Sequence, residues 1–254
     1  MVPYAIIRRF AAGQQIGLDV ADQDIVLHYA LELLYRAGLL GTVVGEQPGP
    51  LLFKGGTELR KCVFGETGRY SKDIDTDATH ENGFEATIEA ALSEQSPFYG
   101  IAFWVPHFRY SAGDNFSGHI SYERAHGSGN FALQISYRLA PILAPVGLPL
   151  QPQSHFAYVE CDPPVLSGLG PYEMIGDKVM ACNRRLGGSA KDVYDLHLWS
   201  QRPFDEDLVR RLAALKAWTD RLGRAGYEPH TFLESVVPAN YRWEDLAGLV
   251  PRKL

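Results

Sequence analysis

Apolar residues recur at helical spacing from Asp22 to Leu40 (DQDIVLHYALELLYRAGLL) and stop at Gly41, which predicts an amphipathic helix. Gly45 to Pro50 is rich in turn residues and reads as a loop. Leu51-Leu52-Phe53 then predicts a short buried strand, Glu58 to Phe64 one or two helical turns closed by Gly65 and Gly68, and Tyr70 to Thr76 a second strand. Asn82 to Ser93 reads as a helix. Beyond Pro97 the pattern turns β-like, with strands expected at Ile101–Tyr110, Gly118–Ala125 and Phe131–Leu139. His126-Gly127-Ser128-Gly129-Asn130 would be the hairpin loop between the last two. Prolines crowd Pro141–Pro152 and Asp162–Pro171, and the second stretch marks a domain boundary that divides residues 1–165 from 166–254. The remainder is helical in character: Pro171–Leu186, Asp192–Ser200, Asp205–Leu222 and Tyr241–Leu249. Pro171 suits a first helical turn, and Gly187-Gly188 ends that helix.

Composition narrows the class. Of 254 residues, 46% are hydrophobic and 21% charged, as in ordinary globular domains. No apolar run approaches the roughly 18 residues of a membrane span, so no membrane partner is expected. Arg8 and Arg9 follow the N-terminal apolar residues, the wrong order for a secretory signal. Cys62, Cys161 and Cys182 are scattered, which argues for a reducing cytoplasm and against a disulfide framework or zinc site. The net charge of −6 does not advertise nucleic-acid binding. It is uneven, however: residues 1–175 hold 11 basic against 19 acidic side chains, and residues 176–254 hold 13 against 11. A basic C-terminal surface could meet an RNA, though solvated helix faces give the same imbalance.

Two constellations carry candidate chemistry. In the first, an apolar run ends in Gly55-Gly56-Thr57 at the start of a helical segment, where backbone N–H groups favour anions such as phosphates. Asp73-Ile74-Asp75 follows; on a strand the two carboxylates share a face while Ile74 points to the core. Two hard carboxylate ligands suit Mg²⁺ when substrate phosphates supply further oxygens. In the second, Lys178 and Arg185 lie near one helix face with Arg184 beside them, and Asp192 and Asp195 are three apart on the next helix. Exposed Lys–Asp pairs between neighbouring helices are common and weak, so spacing alone leaves both readings open. The eight histidines form no pair at helical spacing, and there is no G-x-S-x-G elbow.

Taken together, in order, these segments resemble the AbiEii/AbiGii toxin family of nucleotidyltransferases. The matching motifs are Phe53-Lys54-Gly55-Gly56-Thr57-Glu58-Leu59-Arg60-Lys61, then Arg69-Tyr70-Ser71-Lys72-Asp73-Ile74-Asp75. A helix bearing Glu173, Lys178, Ala181 and Arg185 follows, then Lys191-Asp192-Val193-Tyr194-Asp195-Leu196, and the region Tyr241-Arg242-Trp243. The resemblance implies an α+β fold: a polymerase-β-like core of mixed sheet and helices, with a helical C-terminal lobe contributing Lys178 and Asp195. It implies transfer of a nucleoside monophosphate from an NTP to an RNA acceptor, notably a tRNA 3′ end, with release of pyrophosphate. It also implies a partner antitoxin. On this reading Asp73 and Asp75 hold one or two Mg²⁺ ions, and Lys178 supplies charge to the phosphates. Asp195 orients Lys178 or helps deprotonate the acceptor. Gly55, Gly56 and Thr57 bind the triphosphate, with Lys61, Arg69, Ser71 and Arg185 as further phosphate or RNA contacts. One departure stands out. Superfamily members often take a third carboxylate from a neighbouring strand, where this chain has Gln134; Glu123 or Asp114 would have to substitute, or two carboxylates suffice. That departure leaves room for a catalytically weak nucleotide-binding module, and the acidic net charge for a transferase acting on a protein or small molecule.

Overall fold

The computed structural model describes residues 2–41, 49–79, 83–94, 96–111, 115–137, 140–158, 164–185, 189–219, 234 and 241–252. Helix α1 (Tyr4–Gln14) opens the chain and α2 (Leu18–Arg36) follows. The predicted helix therefore exists but starts and ends four residues earlier, and it is not amphipathic. Every residue from Asp24 to Leu34 is buried, the signature of a helix running through a core. Its polar side chains survive there by pairing: the Asp24 carboxylate meets Lys61 Nζ at 2.8 Å, and Glu32 pairs with Arg36.

A single seven-stranded mixed sheet carries the rest of the core, in the order β3-β4-β5-β2-β1-β7-β6. Its centre is β1 (Leu51–Lys54) antiparallel to β2 (Ile74–Ala78). Between them the chain forms a short helix α3 (Gly55–Glu58), continues as a π-helical turn over Leu59–Phe64, and closes in a 3-10 turn at Gly65–Thr67. Helix α4 (Phe84–Ser93) leads to the meander β3 (Ile101–Ser111), β4 (Asn115–Arg124) and β5 (Gly127–Ser136). The β4–β5 turn is tighter than expected: Arg124 registers with Gly127, so only Ala125 and His126 form it, and Gly127 to Asn130 join the strand. Strand β5 lies parallel to β2.

The proline-rich stretches hide two strands that the sequence pattern does not reveal, β6 (Val146–Pro149) and β7 (Val165–Gly168). Strand β7 pairs with β1. The expected boundary at residues 165/166 therefore cuts a sheet strand, and the helical lobe begins at Pro171. That lobe comprises α5 (Pro171–Arg184), α6 (Ala190–Ser200) and α7 (Glu206–Thr219). The expected last helix, Tyr241–Leu249, is a 3-10 turn over Trp243–Leu246. Most of the loop expected at 45–50, the helix-ending glycines Gly187 and Gly188, and Asp114 fall outside the described residues.

Two apolar cores explain where the site lies. Leu51, Phe53 and Ile74 join α2, α4 and the meander in the larger one. Leu52, on the other face of β1, packs with Leu59, Met174, Ile175 and Trp199 in the smaller one. The helical lobe thus caps one face of the sheet at β1, next to the edge where β2 carries its carboxylates. Among the described residues, no helix is long and apolar enough to cross a membrane.

Candidate active site

The glycines after β1 act first as space for two side chains. Gly55 has φ +85°, and a Cβ there would lie 2.4 Å from Asp75 Oδ2 and 2.9 Å from the Asp75 Cβ. A Cβ on Gly56 would lie 2.6 Å from Arg69 Nη2. Thr57 turns inward: it is buried, and its hydroxyl donates to the Asp73 backbone carbonyl. Its hydroxyl, expected at the triphosphate, instead pins the segment that carries Asp73. From the other side, the Ala132 N–H of β5 donates to Asp73 Oδ1 at 3.3 Å. Asp73 therefore precedes the strand, and β2 starts one residue later, at the buried Ile74.

The helical lobe supplies the opposite wall. Lys178 on α5 donates to Asp192 Oδ1 at 2.7 Å and lies 2.9 Å from Asp195 Oδ2, both on α6. Asp195 also accepts from Arg69 Nε at 2.9 Å and Nη2 at 2.8 Å. Asp195 is 1% exposed and both of its oxygens are engaged by cations, an environment that suits a group holding Lys178 and Arg69 in place. Burial works against the Lys178 charge, but Asp195 and Asp192 outweigh it and hold the ammonium above its ordinary range. Burial likewise pushes Asp192 up; Lys178 more than reverses this and leaves that carboxyl below its usual value. Arg185 stands at the rim, 3.7 Å from Asp192 Oδ2, with most of its side chain in solvent.

Between these walls lies a strongly polar cavity of about 430 Å³. It gathers Gly55, Gly56, Arg69, Ser71, Asp73, Asp75, Lys178 and Arg185 from the residues expected by sequence. It leaves out Thr57 and Lys61, and Asp195 sits beneath its wall. Lys61 lies away from the cavity: its ammonium is fully buried, 2.8 Å from both the Asp24 carboxylate and the Asp24 carbonyl on α2. Sequence reasoning also missed Lys54 and Asp77, an ion pair on the cavity wall, and Lys216, which binds Asp177 at 2.6 Å and Glu173 at 2.5 Å. The signal for Asp77 was present, since the alternation of Asp73 and Asp75 extends to it. Gln134 lines the cavity in register with Asp75. Glu123 does not replace it; it lies exposed at the far end of β4, opposite Ala102 and Ser128.

The donor chemistry suits a hard cation. The Asp75 carboxylate makes no hydrogen bond or ion pair among the described residues. Burial pushes it up, Lys54 pulls against that, and the neighbouring Asp73 charge adds to the rise. A carboxylate without a direct partner, beside a second one, favours a divalent ion, which would reverse that rise. Among the described residues no group of three or more His, Cys, Asp or Glu gathers as a metal site. Asp73 and Asp75 would offer two carboxylates, a set Mg²⁺ accepts when waters and phosphates complete its shell.

Comparison with known proteins gives the family and the fold. Over residues 39–249 the chain matches the family model of the nucleotidyl transferase AbiEii toxin, type IV TA system. It is similar to MenT4, nucleotidyltransferase toxin Rv2826c from Mycobacterium tuberculosis H37Rv, with 27% identity and a TM-score of 0.73, over 90% of this chain and 75% of that one. It shares a fold with JHP933 from Helicobacter pylori at 18% identity and a TM-score of 0.50, over 87% and 90% of the two chains. A search of curated proteins found no match. With a bilobal polar cavity joining β2 carboxylates to a clamped lysine, and with the family model spanning most of its length, the chain belongs to the AbiEii nucleotidyltransferase toxins of type IV toxin–antitoxin systems.

Proposed function

We propose that this toxin transfers a nucleoside monophosphate from an NTP to the 3′ end of an RNA, a tRNA acceptor end in the first instance, in a Mg²⁺-dependent reaction that a partner antitoxin suppresses. The acceptor hydroxyl gives up its proton to solvent as its oxygen bonds to the α-phosphorus, the bond from that phosphorus to the bridging oxygen breaks, and pyrophosphate leaves. Asp73 and Asp75 would hold the cation, which lowers the pKa of the acceptor hydroxyl and neutralises the departing charge. Lys178 faces the triphosphate as a fixed ammonium, where negative charge builds in the transition state. Asp192 and Asp195 keep it charged and aimed, and Asp195 also fixes Arg69 against Gly56. Gly55 and Gly56 offer backbone to the phosphates, with Ser71 and Arg185 as further contacts.

The observation that carries this reading is the meeting of Asp73, Asp75 and Lys178, from two lobes, on one cavity. The test is to add each α-labelled NTP with Mg²⁺ and purified protein to a cell lysate. Label in small RNA supports the proposal, and label confined to protein or metabolites assigns the enzyme another acceptor. Gln134 favours a second reading, a nucleotide-binding module of weak activity, because it sets a neutral amide where a third carboxylate could stand. Equal growth arrest by wild type and Asp73→Ala would select it.

A further inference from the structure

The sheet face that presents Asp75 does not end at the cavity. In register, Asp75 is followed outward by Gln134 on β5, Ser117 on β4 and Arg109 on β3. The neighbouring rung begins at Asp73, whose carboxylate accepts from the Ala132 N–H, and continues through His119 to His107. Cross-strand partners point to the same side of a sheet, so both rungs lie on one face. The opposite face of the same strands carries Phe103, Phe116, Ile120, Phe131, Leu133 and Ile135 into the larger core.

The helical lobe covers this face only at the sheet's centre; no residue of β3, β4 or β5 enters the smaller core. The uncovered part is polar and aromatic. Trp104 is 41% exposed, Arg109 and His107 are exposed, and the His107 and His119 rings stack at 5.4 Å with an interplanar angle of 12°. Arg109 has no ion pair among the described residues. Asn115 and Gln134 belong both to this face and to the cavity lining, so the two surfaces are continuous.

We infer that the open face of β3–β4–β5 is the docking platform for the single-stranded end of the acceptor RNA, with bases stacked on Trp104 and the His107–His119 pair and a phosphate held by Arg109. This inference rests on the RNA-acceptor reading above. Flat aromatic side chains on an exposed sheet are how proteins hold unpaired bases, whatever their sequence. Three strand spacings separate Asp75 from Arg109, about 14 Å, enough for a few stacked nucleotides ahead of the reacting hydroxyl. Glu123 sits at the outer end of the face and would repel further phosphates, so the platform takes a short tail and not a long duplex.

The test uses the full-length protein, each α-labelled NTP, and two RNA probes: a hairpin with a single-stranded 3′ tail and the same hairpin blunt-ended. Trp104→Ala and Arg109→Glu are each expected to raise KM for the tailed RNA at least about tenfold while leaving KM for the NTP unchanged. Wild type is expected to prefer the tailed probe. Arg109 is a surface side chain, so its variant remains informative if Trp104→Ala does not fold. RNA labelling with unchanged KM in both variants, or equal use of tailed and blunt probes, overturns the platform alone. Labelling of protein or metabolites with no labelling of RNA overturns the acceptor reading and the platform with it.

Discussion

Arg69 and Asp195 lie 126 residues apart and meet through two charge-assisted hydrogen bonds, of 2.9 and 2.8 Å. The pair ties the core to the helical lobe, and Asp195 passes that constraint to Lys178. Asp195→Ala leaves the buried Arg69 guanidinium without its carboxylate and Lys178 with Asp192 alone, a loss of about 3–5 kcal/mol for a broken buried pair. The expected result is a large fall in urea midpoint and loss of nucleotidyl transfer. An Arg69→Ala/Asp195→Ala double-mutant cycle should show strong coupling in both stability and rate; additive effects would refute the clamp.

Gly56→Ala should displace the Arg69 guanidinium, because the new methyl would lie 2.6 Å from Nη2. Gly55→Ala adds backbone strain at φ +85° to a clash with Asp75. Both variants are expected to fold, with kcat down at least about tenfold, the price of misplacing charged groups at a reacting centre. Steady-state kinetics alongside circular dichroism would decide; full activity in Gly56→Ala would mean Arg69 has room that the structure does not give it.

Asp73→Ala and Asp75→Asn should each abolish transfer, and EDTA should abolish it in wild type with recovery on adding Mg²⁺. Asp75→Asn should also stabilise the apo-protein, since it removes a carboxylate for which burial and the Asp73 charge outweigh the pull of Lys54, Lys178 and Arg69. The paired measurement is Tm without metal and turnover with it. A loss of Tm would contradict the assignment of Asp75 as a charge that the apo-fold disfavours on balance.

Glu58 is fully buried, and neither carboxylate oxygen has a hydrogen-bond partner. Burial, with Asp177 and Asp77 nearby, raises its carboxyl well above the usual 4.5. A raised acid binds its proton more tightly when folded, so its cost is absent below about pH 4.5 and grows as pH rises toward the folded value. Glu58→Gln should therefore raise stability at pH 8, by about 1–3 kcal/mol, and change it little at pH 4. Denaturation at the two pH values checks the sign.

Lys61→Met and Lys178→Met separate a structural lysine from a site lysine. The first should lower Tm, by leaving Asp24 buried and unpaired, without changing NTP affinity in the folded protein. The second should weaken NTP binding and stop transfer. Calorimetric titration with NTP distinguishes them, and weakened NTP binding in folded Lys61→Met would return that residue to the site.

Much of this molecule was legible in one dimension. The helices of the C-terminal lobe, the meander strands and the order of the motifs follow from local periodicity and from glycine and proline placement, which act within a few residues. The pattern Asp73-Ile74-Asp75 pointed to a strand with acids on one side, because side-chain direction alternates along a strand; the strand itself runs Ile74–Ala78 and takes in Asp75 and Asp77, with Asp73 just before it. What stayed hidden depends on partners distant in sequence. Strands β6 and β7 are too short and proline-flanked to signal themselves; β7 exists because β1 offers it an edge, and β6 because β7 does. Local pattern made Thr57 and Lys61 look like ligands; only the packed core shows one hydroxyl holding the Asp73 carbonyl and one ammonium consumed by Asp24. The glycines read as phosphate loops, yet their lack of a Cβ is required by Asp75 and Arg69, which arrive from elsewhere in the chain. Sequence thus fixed which residues could do the chemistry, through residue type and local geometry. Tertiary structure decided which of them remain free to do it, because burial and long-range ion pairing spend some charges on stability and leave others facing the cavity.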